Sequence, residues 1–192
     1  MLKLSDIARC VEQAVDYKPN GPLGEFYGEY YSPYYAFFIL AMAMPGKNKI
    51  AVELGVDRGR GLVSLAYGAG KDGKVYGVDN KVAPSLTIAV NMFNNTTFIH
   101  AAADPVPEGM PEKDIFLLHV DTEHSYSAAK TDFEAYESRL ADRAIVVFDD
   151  LHAAEDSVLC YFNELPYPKI QDDRMHPVCG WGVILYERES NE

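Results

Sequence analysis

Short apolar runs alternate with stretches of helical periodicity from Lys49 onward, and this alternation directs the chain towards a parallel sheet covered by helices on both faces. The runs at 49–54, 74–78, 96–101, 114–120 and 144–148 predict strands. Between them, helices are predicted at 60–69, 84–94 and 126–140, the last with Tyr126, Ala129, Phe133, Tyr136 and Leu140 on one face. A final helix is expected over 152–164. The tail carries Pro166 and Pro168, then Cys179-Gly180-Trp181-Gly182 and the apolar run 183–186, which predicts two closing strands without a crossover helix and hence an antiparallel edge. The expected fold is α/β: a doubly wound, seven-stranded, mainly parallel sheet with an antiparallel C-terminal edge.

Ahead of this domain, Ile7, Ala8, Val11, Ala14 and Val15 recur at helical spacing over 5–16, with Ser5 as the candidate cap. Residues 18–32 mix Pro19, Gly21, Pro22, Gly24 and Gly28 with Phe26, Tyr27, Tyr30 and Tyr31, and read as an ordered aromatic loop or lid. Pro33 suits the first turn of an apolar helix running to Met44. The expected organisation is an N-terminal helical and aromatic lid segment, 1–48, and an α/β domain, 49–192, joined as one compact unit. The longest apolar run, 34–44, is too short to span a bilayer, so no membrane partner is expected.

The chain carries 17 Lys and Arg against 29 Asp and Glu, a net charge of −12 that would repel a phosphate backbone. A nucleic-acid partner is not expected, and a small-molecule acceptor is. Cys10, Cys160 and Cys179 are widely spaced and odd in number, which points to reduced thiols in a cytoplasmic setting. The oligomeric state is left open, a homo-oligomer included.

The first predicted strand ends in Glu53-Leu54-Gly55-Val56-Asp57-Arg58-Gly59-Arg60-Gly61, and a helix follows at once. Glycines there allow a sharp turn and a close ligand, while the helix N-terminus offers free amide donors, a geometry suited to a nucleotide-type ligand. The second strand ends at Asp79, 24 residues beyond Gly55, where a carboxylate can accept both hydrogen bonds of a ribose diol. A ligand-free turn and a solvated or capping Asp79 are the alternatives. The pattern resembles class I S-adenosylmethionine-dependent methyltransferases, with their Rossmann-like fold. Dinucleotide-binding dehydrogenases use G-x-G-x-x-G, whereas here Gly55 is followed by Asp57, and Gly59-Arg60-Gly61 by Ser64. The resemblance implies that Gly55 and Gly59 border the methionine part of the cofactor, that Glu53 supports the loop, and that Asp79 holds the ribose. It places Ala102, Ala103 and Asp104 near the adenine, and Asp121 beside the cofactor.

The fourth strand delivers Asp121-Thr122-Glu123-His124-Ser125-Tyr126 and the fifth delivers Asp149-Asp150-Leu151-His152. Ligands of doubly wound sheets bind at the carboxyl ends of the strands, so Asp121, Asp149 and Asp150 should converge. Their repulsion calls for a proton, a cationic partner or a hard cation, and an oxygen-only set suits magnesium. Alternatively, Asp149 or Asp150 caps a helix beginning near Leu151, and Asp121 caps the helix near Tyr126. His124 and His152 also read as hydrogen-bonded loop residues. The combined pattern resembles metal-dependent sugar and catechol-type O-methyltransferases. That resemblance implies that Asp121, Asp149 and Asp150 bind magnesium, which chelates a vicinal diol. The His124-Ser125-Tyr126 turn is similar to a broader group of small methyltransferases in which metal dependence varies. Sugar O-methyltransferases carry Asp-Gly-Asp where this chain has Asp121-Thr122-Glu123, so Glu123 stands as candidate general base, with His124 as its competitor. A non-catalytic cofactor-binding or regulatory module of the same fold is the second functional reading.

Overall fold

In the computed structural model, residues 2–15, 31–43, 49–155 and 157–188 are described. The first apolar run forms β1 (Ile50–Leu54), followed by α3 (Arg60–Ala69), β2 (Lys74–Asp79), α4 (Leu86–Asn91), β3 (Thr96–His100) and β4 (Ile115–Val120). Next come α5 (Tyr126–Glu137), β5 (Leu140–Asp149), α6 (Val158–Glu164), β6 (Lys169–Gln171) and β7 (Trp181–Glu187). Two helices precede the sheet: α1 (Leu4–Ala14) and α2 (Tyr31–Ala43).

The seven strands form one sheet in the order β3-β2-β1-β4-β5-β7-β6. The pairs from β3 through β5 are parallel, and β7 pairs antiparallel with both β5 and β6. The order reverses between β1 and β4, and at such a switch point the carboxyl ends of the strands open a ligand crevice. Leu117, Ile145 and Val183 of the sheet, with Ile7 of α1, Phe37 of α2 and Leu62 and Leu65 of α3, belong to one apolar core layer. Val52, Leu118, Val146 and Ile184 join Phe133 of α5 and Phe162 of α6 in the other. Each of these buried side chains contributes about 1.5–3 kcal/mol relative to exposure.

Several element ends differ from the sequence expectation. β5 begins at Leu140, because Leu140 pairs with Ile115 on β4 and is buried as a strand residue rather than as the end of the helix's apolar stripe. α4 stops at Asn91, where the Thr96 hydroxyl donates to the Val90 and Phe93 carbonyls, 2.8 and 2.9 Å away. The expected helix over 152–164 is confined to Val158–Glu164, with Ser157 at its N-cap, and residues 151–155 form turns. Among the described residues, Asp149 and Asp150 therefore cap no helix. Nor does Asp121, since Ser125 caps α5 by accepting from the Ala128 amide at 3.3 Å. Ser5 lies inside α1, and it is Asp6 whose carboxylate accepts from the Lys3 amide at 3.0 Å. Of the expected aromatic loop, 16–30 fall outside the described residues, and Tyr31 and Ser32 already belong to α2. No described helix is long and apolar enough to cross a membrane.

Candidate active site

The turn after β1 is locked to the turn after β4. Gly55 has φ +84°, and a Cβ on it would stand 1.7 Å from the Asp121 carbonyl oxygen. Its amide donates to Val78 of β2 at 2.9 Å, while the Asp121 amide donates to Leu54 at 2.9 Å. Gly59, at φ +84°, is the N-cap of α3. Gly61 leaves room for the Glu53 carboxylate, since a Cβ there would lie 1.8 Å from Oε1. Glu53 is 2% exposed, and burial pushes its carboxyl up to about 7 against the pull of His119. Its partner is the side chain opposite it on β4: Glu53 Oε1 and His119 Nδ1 are 3.2 Å apart. Burial pulls His119 down, but its bond to Glu53 and the charges of Asp121, Glu53 and Asp149 leave it raised.

Asp79 ends β2 and ties down the same loop. Its Oδ2 accepts from the amides of Val56 and Asp57, both at 2.9 Å, and Oδ1 accepts from Lys81 at 2.7 Å. Of the carboxylate's roughly four acceptor positions, about one remains for a further donor. The Ala101 amide bonds to the Asp79 carbonyl at 3.0 Å, which brings the turn carrying Ala102, Ala103 and Asp104 alongside; Ala103 is buried, Ala102 and Asp104 exposed.

On the far side of β1 the ends of β4 and β5 carry the charges. His124 Nε2 lies 3.0 Å from Asp150 Oδ2 and 3.4 Å from Asp121 Oδ1. These two carboxylates hold its imidazole up to about 10, so it is a cation at neutral pH. His176 Nδ1 lies 2.9 Å from Asp149 Oδ1 and 3.3 Å from Asp150 Oδ1. Burial lowers His176, yet its bond to Asp149 and the neighbouring carboxylates raise it overall. Asp150 adopts φ +54°, and its buried Oδ1 faces the His176 imidazole. Compact groups of potential metal-ligating atoms, each within 4.8 Å, are His119/Asp121/Asp149, Asp121/His124/Asp150 and Asp150/His176/Cys179.

Residues 52–151, the segment that holds the glycine turn, Asp79 and all three aspartates, match the family model of the methyltransferase domain. The chain belongs to the methyltransferase-domain family. It is accordingly an S-adenosylmethionine-dependent methyltransferase, built on the class I Rossmann-like sheet described above. Similar solved structures include the O-methyltransferase TomG from Streptomyces achromogenes, involved in tomaymycin synthesis and solved with S-adenosylmethionine. It is 14% identical with TM-score 0.66, over 97% of this chain and 99% of that one. An O-methyltransferase from Bacillus cereus in complex with S-adenosylhomocysteine is 12% identical with TM-score 0.64, over 97% and 93%. An rRNA methylase from Streptococcus thermophilus is 16% identical with TM-score 0.61, over 82% and 97%. These likenesses are of fold. A search of curated protein sequences gave no match.

In this methyltransferase, Gly55, Gly59, Glu53 and Asp79 gather around the β1 turn, and Asp121, His124, Asp149 and Asp150 gather around the ends of β4 and β5. Glu123 lies in the same turn after β4 with an exposed side chain. His152 lies to one side, 3.2 Å from Asp173. The sequence reading missed His119, His176 and Tyr34. Tyr34 of α2 is raised by burial and then by the charges of Asp121 and Asp149, which places its phenol in the field of the site. One signal was available for His119: it and Glu53 are polar intruders in neighbouring apolar strands.

Proposed function

We propose that this methyltransferase transfers the methyl group of S-adenosylmethionine to an oxygen of a small hydroxylated acceptor, a vicinal diol of sugar or catechol type, with magnesium assistance. The observation that carries the reading is the joining of the glycine turn to the acidic strand end through Gly55 and Asp121, which sets a cofactor-type turn beside three carboxylates. In this reading Gly55 and Gly59 border the methionine part of the cofactor, Glu53 supports their turn, and Asp79 uses its remaining acceptor position for the ribose. Ala102 and Asp104 flank the adenine, and Asp121 faces both cofactor and cation.

Asp121, Asp149 and Asp150 would hold the magnesium: Asp121 lies in one compact group with Asp149 and in another with Asp150, and carboxylate oxygens are the donors that a hard cation takes. Such a cation, when bound, lowers the pKa of an acceptor hydroxyl and orients it. Transfer is an in-line displacement at the sulfonium methyl, so the chain's main task is alignment. His124 is charged while Asp121 and Asp150 face it as free carboxylates. The pull of those carboxylates on His124 would weaken once they held a cation, and Nε2 would then be the chain's nearest group to accept the acceptor's proton. Glu123, exposed at the same strand end, is the second candidate base.

Two similar structures are named as rRNA methylases, but the net charge of −12 opposes a phosphate backbone and favours a small acceptor. The test is S-adenosylhomocysteine formation with panels of catechols and sugars, with and without chelator. Expected is turnover on a vicinal diol that chelation abolishes and magnesium restores. Cofactor binding without turnover on any acceptor would support the regulatory-module reading instead.

A further inference from the structure

The cation site has a feature that an all-oxygen set does not use. His119 pairs in register with Glu53 on one neighbouring strand and with Val147 on the other. Because strand side chains alternate between faces, Asp121 and Asp149, each two residues beyond these positions, leave the sheet on the same face as His119 and Glu53. One ring nitrogen of His119 and carboxylate oxygens of Asp121 and Asp149 lie within 4.8 Å of one another.

The environment of that imidazole is unusual. It is 1% exposed, its Nδ1 is engaged by Glu53 at 3.2 Å, and its Nε2 is buried without a hydrogen bond among the described residues. A buried nitrogen without a partner is destabilising unless something binds it. When the neutral imidazole donates Nδ1–H to Glu53, its Nε2 presents a lone pair, the state in which histidine ligates metals. A carboxylate holding the far nitrogen of a histidine is also the outer-shell arrangement that orients ligating imidazoles. Asp149 has its own support, since its Oδ1 accepts from His176 at 2.9 Å and from the Asp150 amide at 3.0 Å. Phe37 of α2 packs at a tilt against His119, with ring centroids 4.4 Å apart and planes at 48°.

We propose that His119, Asp121 and Asp149 form a mixed nitrogen and oxygen site for a first-row divalent transition ion, with Glu53 and His176 as its orienting outer shell. Imidazole suits zinc, copper, iron or nickel, whereas magnesium prefers oxygen alone; manganese, which accepts carboxylates and can add an imidazole, serves as the spectroscopic probe. The inference replaces magnesium and Asp150 in the proposed reaction with a transition ion and His119, and it rests on that reading for the ion's use, not for its binding.

The test loads the full chain with Mn²⁺ alone and records electron spin-echo modulation. Expected is one ion per chain with a directly bonded imidazole nitrogen, and weak displacement by excess Mg²⁺. In a parallel titration with Co²⁺, Glu53→Gln should weaken binding about 10–100-fold, the usual effect of losing an outer-shell partner. His119→Asn should weaken it by at least as much. Bound Mn²⁺ lacking nitrogen coupling would restore the all-oxygen magnesium set and overturn this assignment, as would the absence of stoichiometric binding. A thiolate-to-Co²⁺ charge-transfer band would move the ion to Asp150, His176 and Cys179 and overturn it equally. Nitrogen coupling without methyl transfer to any diol would leave the site standing while removing the proposed reaction. Nitrogen coupling that persists in His119→Asn but disappears in His124→Asn or His176→Asn would move the ion to one of the other two groups and overturn the assignment.

Discussion

The two halves of the crevice are built by different means. On the β1–β2–β3 side the shape is held by main chain: positive-φ glycines, amides bonded to Asp79, and a turn with no room for a Cβ at Gly55. On the β4–β5–β7 side it is held by side-chain charge, with three aspartates balanced against His124 and His176. Steric changes should therefore break the first half, and charge changes should retune the second while leaving the fold intact.

Gly55→Ala should have the largest effect. The added methyl meets the Asp121 carbonyl oxygen in a left-handed backbone conformation. Conformational strain and overpacking together predict a loss of about 3 kcal/mol or more in urea unfolding, with cofactor binding lost as well. Asp121→Asn keeps that carbonyl and should cost far less. Equal losses for the two variants would erase the distinction between the halves.

Glu53 bridges them, and its effect should appear in pH dependence. Its folded-state carboxyl is raised from 4.5 to about 7, and that of His119 is also raised, so the native state holds more protons than the unfolded chain. Their contribution to stability is thus present at acid pH and declines as pH rises from about 4.5 through 7 and beyond, by up to about 1.4 kcal/mol per pH unit for each proton. Unfolding curves from pH 5 to 8 should show a shallower decline in Glu53→Gln. A steeper decline would reverse the assignment.

Asp150→Asn removes one of the two carboxylates beside His124, whose imidazole should fall from about 10 by roughly one unit or more, as read by NMR titration. An unchanged value would make Asp121 the sole partner of consequence. The smallest effect belongs to Ser125→Ala, which deletes the long cap bond of α5 at 3.3 Å and should cost about 0.5–1 kcal/mol. A larger cost from Asp121→Ala, accompanied by loss of α5 helicity, would return Asp121 to a capping role.

The parallel sheet was legible because its buried strands are continuous apolar runs, and Gly55, Gly59 and Asp79 were legible because they fall directly at strand ends. Element borders were less so. Leu140 continues the apolar stripe of α5 by spacing, yet it pairs with Ile115. The turn over 151–155 carries alanines that suit a helix but precedes the Ser157 cap. The site was half legible: paired carboxylates at strand ends announce themselves, whereas His119 reads as an isolated polar residue until strand register sets it opposite Glu53. His176 comes from a distant turn, and nothing local in sequence links it to Asp149.

The antiparallel closing strand has a consequence for the order of synthesis. β7 joins the sheet beside β5, with Trp181 opposite Asp149, and the turn just before it supplies His176. A nascent chain emerging from the ribosome up to α6 would have its three aspartates in place but lack this counterion, and β5 would present an unshielded edge until β7 arrived. The pocket is thus finished late in translation, and chains released early at that stage are the ones most exposed to edge-to-edge association.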